Sequence, residues 1–81
     1  NFVASVLDWS DGVAAVEMRN RFFEGDTLEI LSANDSFGKT FAVADMRDEN
    51  GTPVVDAKLV RQILKLPCSY PLEKFDILRK V

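Results

Sequence analysis

The chain has no histidine, a single cysteine, one tryptophan and three prolines in 81 residues. Each scarcity excludes something. Without histidine, and with Cys68 as the one thiol, the nitrogen and sulfur donors of the usual zinc sites are missing. A Ser-His or Cys-His nucleophile pair is likewise ruled out within the chain. Cys68 has no second cysteine to pair with, whereas secreted domains of this size usually depend on several disulfides, so a reducing, cytoplasmic setting is expected. No Gly-rich phosphate loop or calcium loop is present, and no cofactor is expected. No apolar run approaches the ~20 residues of a membrane-crossing helix, because Asp8, Glu17, Glu29 and Asp45 interrupt the longest uncharged stretches, so no membrane partner is expected. The start, Asn1-Phe2-Val3, lacks both an initiator Met and a signal-peptide layout and reads as a cut.

A basic excess is also missing. The formal net charge is -3, which disfavours a free-standing nucleic-acid binder, since such binding rests on Lys and Arg neutralising phosphates. The charge is unevenly spread: residues 1–57 hold four Lys/Arg against eleven Asp/Glu, and residues 58–81 hold six against two. The basic end reads first as a solvated charge run and second as a face for an acidic partner. What is present is an ordinary globular composition, 47% hydrophobic and 28% charged, in a length that fits one thin-cored domain and an isolated monomer.

Along the chain, short β-favouring runs alternate with turn formers. Phe2 to Leu7 reads as a strand that stops at the turn cluster Asp8-Trp9-Ser10-Asp11-Gly12. Val13 to Arg19 alternates, with Ala14, Val16 and Met18 on one face, and should pair antiparallel with the first strand. Gly25 supplies a tight turn before Thr27-Leu28-Glu29-Ile30-Leu31, the third strand. Lys39 to Val43 is the fourth, with a bulge or strand end near Ala44-Asp45, since Met46 falls out of phase. Asn50-Gly51 is a type I′ hairpin signal, with Thr52 to Val55 as the return strand and Pro53 favouring an edge.

Residues 57–66 fit two patterns: helical spacing through Leu59, Val60, Ile63 and Leu64, or a turn into a strand facing Val60, Leu64 and Leu66 inward. The second is preferred. Pro67 and Pro71 exclude a continuous helix across them, and the threefold spacing of Leu72, Phe75 and Leu78 predicts a short helical turn. Many short strands with turns every 8–12 residues make the expected fold mainly all-β, a small antiparallel β-barrel.

Few residues offer chemistry. The carboxylate pairs Asp8/Asp11, Glu24/Asp26 and Asp48/Glu49 fall in predicted turns and read as solubility residues. Cys68, with Lys65 three residues before it, reads as a small core or surface thiol, because one cation is a weak activator. Phe22 and Phe23 read as core or interface, and Trp9 as a loop residue covering the barrel end or stacking on a ligand. Arg19 and Arg21 suit bidentate contact with carboxylate or phosphate, although ion bridges to Glu17 or Glu29 are simpler. With Lys65, Lys74, Arg79 and Lys80 from the basic end, Trp9, Arg19 and Arg21 form the candidate binding surface.

Val16 to Leu31, V-E-M-R-N-R-F-F-E-G-D-T-L-E-I-L, resembles the V-E-x-R-N-R-F-x-x-G-D-x-L-E-I-L stretch of the C-terminal domain of the collagenase-like U-32 peptidase family. Phe2 to Asp8, Met46 to Gly51 and Asp76 to Lys80 are similar to that domain as well, so the likeness covers nearly the whole chain. It departs from some relatives at Lys58-Leu59-Val60-Arg61, where a proline-containing loop is common. The resemblance implies that residues 1–81 are a C-terminal accessory β-barrel, similar to the barrels of translation elongation factors, belonging to a protein with an upstream (β/α)-barrel-like catalytic domain. The family's catalytic and cluster-binding cysteines lie in that upstream domain, and Cys68 matches none of them. The implied role is a non-catalytic module that packs on the catalytic domain or presents protein substrate. The alternative is an RNA-contacting barrel using Trp9 and the basic end, since some relatives hydroxylate RNA bases and others take part in ubiquinone synthesis.

Overall fold

The computed structural model describes residues 2–81, and the expectation placed on Asn1 lies outside them. Every regular element among the described residues is a strand. β1 (Phe2–Ser10) and β2 (Val13–Met18) form an antiparallel hairpin. Its two-residue turn has Asp11 at φ 51 and Gly12 at φ 79, the pair of left-handed residues that a type I′ turn demands. The strand outruns its predicted end: Asp8, Trp9 and Ser10 belong to β1 and not to a loop. The cause is a bulge. Val6 faces Val16 but Asp8 faces Ala15, leaving Leu7 as an extra residue after which the ladder resumes. Ala14, Val16 and Met18 are buried along β2, as the alternation requires.

β3 (Phe22–Phe23) is followed by a turn around Gly25 and by β4 (Thr27–Leu31), which buries Leu28 and Ile30. β5 (Thr40–Ala42) is shorter than the expected Lys39 to Val43 strand; the phase break falls at Asp45, in the left-handed region, with Val43 and Met46 both buried. β6 (Arg47–Asp48) leads into a turn closed by the Gly51 N–H donating to the Asp48 carbonyl at 3.0 Å. Only Gly51 has positive φ there, so the expected type I′ turn is replaced by a turn whose left-handed residue comes last. Asp48 explains the change, since its Oδ1 accepts from the N–H groups of Asn50 and Thr52 at 2.9 and 3.0 Å. The return strand shrinks to one bridge, Arg47 to Pro53, because proline has no N–H to extend a ladder.

β7 (Asp56–Ala57), a turn, and β8 (Ile63–Pro67) bear out the turn-into-strand reading of residues 57–66. Leu64 and Leu66 are buried, but Val60 is 69% exposed at the turn and does not share their face. β9 (Ile77–Lys80) closes the order of elements. The helical turn expected through Leu72, Phe75 and Leu78 does not form. Residues 73–76 make a tight turn instead, with the Asp76 N–H on the Glu73 carbonyl and Phe75 at φ 77, a value that breaks helical continuation. Leu72 and Leu78 are buried on either side while Phe75 is 78% exposed.

Seven strands form one antiparallel sheet in the order β5-β4-β9-β1-β2-β8-β6, with β3 and β7 as a separate ribbon. Laid flat, the six gaps would hold β5 and β6 about 29 Å apart at ~4.8 Å per strand. Yet only residues 43–46 join Ala42 to Arg47, a reach of at most about 19 Å. The sheet therefore curls into a half-barrel. Its interior holds Val6, Val16, Leu28, Ile30, Leu64, Leu66 and Leu78; Val43 and Met46 join that core from the connection, and Phe22 and Ala57 from the ribbon.

Candidate functional site

The ribbon and the end of β9 bring two of the candidate residues, Arg21 and Lys80, to one aromatic ring. Arg21 precedes β3, and its Nε and Nη2 donate to the two carboxylate oxygens of Asp56 in β7 at 3.0 and 2.7 Å, a bidentate pair. That hydrogen bonding holds the Asp56 carboxyl below its ordinary value against a smaller opposing effect of desolvation, with the charges of Arg21 and Lys58 adding to the lowering. The same contact raises the already high value of Arg21.

Next along β3 stands Phe23, 38% exposed and outward facing, whereas Phe22 is wholly in the core. The Arg21 guanidinium carbon lies 4.9 Å from the Phe23 ring centroid, and Lys80 Nζ lies 5.7 Å from it. Lys80 also reaches Asp26 Oδ2 at 3.3 Å, and that oxygen accepts the Phe23 N–H at 2.8 Å. Beside Lys80, Arg79 donates through Nε (3.1 Å) and Nη2 to Glu29 of β4, its cross-strand partner. The arrangement is an exposed aromatic ring flanked by two cations, Arg21 and Lys80, each tied to a carboxylate of the fold.

The other candidates lie apart from one another. Arg19, just past the end of β2, makes the expected ion bridge to Glu17 at 3.1 Å, a local contact two residues back and not one across strands. Glu29 is taken by Arg79 and does not meet Arg19 or Arg21. Trp9 is half-buried at the end of β1 and donates its indole N–H to the Cys68 carbonyl at 2.8 Å. Lys65 is exposed on β8 in a shallow groove of about 240 Å³ with Val13, Pro67, Arg47 and Asp48. Lys74 lies 5.3 Å from the ring centroid of its neighbour Phe75. Phe23, Asp56 and Asp26 are the residues that sequence reading left out of the surface, Phe23 because it reads as one pair with the core residue Phe22. The bidentate guanidinium contact expected of Arg21 was the available signal for a carboxylate partner, but only the β3–β7 pairing identifies Asp56.

Cys68 is buried, its Sγ 3.5 Å from the Tyr70 carbonyl, and burial pushes the thiol up. No cluster of three or more potential metal-binding side chains occurs among the described residues. Three carboxylates of the predicted turn pairs hold backbone: Glu24 accepts the Met46 N–H at 3.1 Å, Asp26 accepts the Phe23 N–H, and Asp48 organises its own turn.

Likeness to known proteins agrees with this architecture. The C-terminal domain of a Geobacillus thermoleovorans protein assigned to the U32 peptidases superposes with a TM-score of 0.93 at 29% identity, over 99% of this chain and 91% of that one. The selenomethionine variant of that domain gives 0.91 at 29% identity over 99% of both chains. No curated protein sequence matches the chain. The family model for the peptidase family U32 C-terminal domain matches residues 1–79, and with the all-strand half-barrel it shows that the chain belongs to that family.

Proposed function

We propose that the chain is a non-catalytic accessory module that packs against the catalytic region of a U32-family protein. The observation that carries this reading is the frame around Phe23. An exposed aromatic ring surrounded by charged groups that are already hydrogen-bonded has the anatomy of a protein contact, with an apolar anchor and a satisfied polar rim. A nucleic-acid groove needs the reverse, cations left free to displace counterions from phosphates. Of the cations at this site, Arg21, Arg79 and Lys80 are bound to Asp56, Glu29 and Asp26, so they are not free for phosphates. The absence of histidine and the burial of the sole thiol support a non-catalytic role, and the unpaired Cys68 suits a reducing cytoplasm.

The test is to produce this chain and the catalytic region of its parent protein as separate polypeptides. Co-elution on size exclusion, or a gain in peptide hydrolysis on adding the chain back, is the expected result. Absence of both would remove the reading. Binding of tRNA or rRNA fragments at ~50 mM salt, falling steeply as salt rises and dropping further on replacing Lys74, Arg79 and Lys80 by alanine, would replace it with the RNA alternative.

A further inference from the structure

Residues 55–61 combine three features that the packing of the fold does not require. Val55, Leu59 and Val60 are 64%, 60% and 69% exposed, a concentration of aliphatic surface in seven residues. Lys58 and Arg61 flank the apolar pair, and neither makes an ion pair among the described residues; Arg61 is alone in this among the arginines, since Arg19, Arg21, Arg47 and Arg79 are all bridged. Arg61 also sits at φ 71, the third position of a turn closed by the Gln62 N–H on the Leu59 carbonyl, where glycine is the unstrained choice.

The tip is nevertheless fixed. The Arg61 N–H donates to the Met18 carbonyl at 2.9 Å, and the Met18 N–H donates to the Gln62 carbonyl at 2.9 Å. A preordered tip loses little entropy on contact. β7 leads straight into it and pairs with β3, so the tip continues the surface that carries Phe23.

We infer that the Lys58–Arg61 tip is the docking knob of this module, inserting Leu59 and Val60 into an aliphatic depression rimmed by carboxylates on the catalytic region. This rests on the accessory-module reading and adds the surface to it. Charge selects the partner: two free cations flanking aliphatics, on a chain of net charge -3, complement an acidic apolar patch. Aliphatic side chains offer no flat ring on which a base could stack, which sets a protein before RNA. Tethering in one protein supplies an effective concentration in the mM range, so a small contact suffices.

The experiment is an NMR titration of the isotopically labelled chain with the separately produced catalytic region. Amide shifts concentrated at Phe23, Val55 and Lys58 to Gln62 are expected, with at least about a tenfold weaker association for the double variant Leu59→Ser, Val60→Ser. Arg61→Gly separates docking from folding: relief of the left-handed strain should raise Tm by about 4 °C or more while association weakens. No shifts anywhere would overturn both the module reading and the knob. Shifts confined to the loop of Phe75, or to the loop of Phe37, an aromatic 64% exposed between β4 and β5, or unchanged association of the double variant, would overturn the knob alone. Stronger perturbation of the tip by an RNA fragment or by vesicles of anionic lipid would assign it to those ligands instead.

Discussion

Cys68, read in sequence as a small core or surface thiol, is a buried structural residue. It lies among hydrophobic neighbours with its carbonyl holding the Trp9 indole, so one residue pins the far end of β1 to the loop after β8. Burial disfavours the thiolate and pushes the thiol above its ordinary value. The stability that follows is complete below the unfolded thiol value of about 8.5 and is lost as pH rises through the higher folded one. Thermal midpoints should therefore decline in alkaline buffer, and Cys68→Ala should flatten that decline. Titration of the native thiol with a disulfide reagent should give half-ionisation above about 8.5, with fast reaction only after denaturation. Half-ionisation at or below that value would identify an exposed or activated thiol and contradict the buried placement.

At the scale of elements, strands with a clean two-residue alternation were legible in sequence. β2 and β4 bury the side chains their patterns single out, because one face meets the core and the other meets solvent. Bulges and loops hid the rest. The extra residue Leu7 shifts the phase of β1, so Trp9 looked like part of a loop. Leu72 and Leu78 are buried from a loop and a strand, and with the exposed Phe75 between them their spacing imitates a helix without belonging to one. Of the candidate surface, the cations were visible, while Phe23 reads together with Phe22 as core or interface; the carboxylate partners, 35 residues away for Arg21 and 50 for Arg79, depend on strand pairing that spacing alone does not encode.

The same scale holds a test of turn chemistry. A Cβ at Gly12 would meet no atom within 4 Å, so a substitution there would be strained only by its φ of 79. Gly12→Ala should cost about 1–2 kcal/mol, the cost of a left-handed side chain, and lower Tm by about 4 °C or more. A loss below a few tenths of a kcal/mol in chemical denaturation would mean that the hairpin turn relaxes to another type.

For the whole molecule, curling matters more than any one strand. A domain of this size has a net stability of roughly 4–12 kcal/mol, so the connection that brings the sheet edges near each other is a large part of the balance. Met46, wholly buried in that connection, has its N–H on Glu24 and its carbonyl on the Val54 N–H. Met46→Ala should cost about 2–5 kcal/mol, and Met46→Leu, which conserves volume, under about 1.5 kcal/mol. Urea midpoints would show this order; equal losses for the two would place the weight on the backbone bonds and not on the side chain.

The pairing of β1 with β9 has a mechanical consequence. Phe2 lies opposite Arg79, so the first and last strands run antiparallel side by side with both chain ends leaving at neighbouring points. Tension applied between those ends would not shear the β1–β9 ladder all at once. It would peel the pairs open in sequence, Phe2 from Arg79, then Ala4 from Leu78, then Ser5 from Ile77, so the module resists heat through its core but yields to a pull like an opening zip.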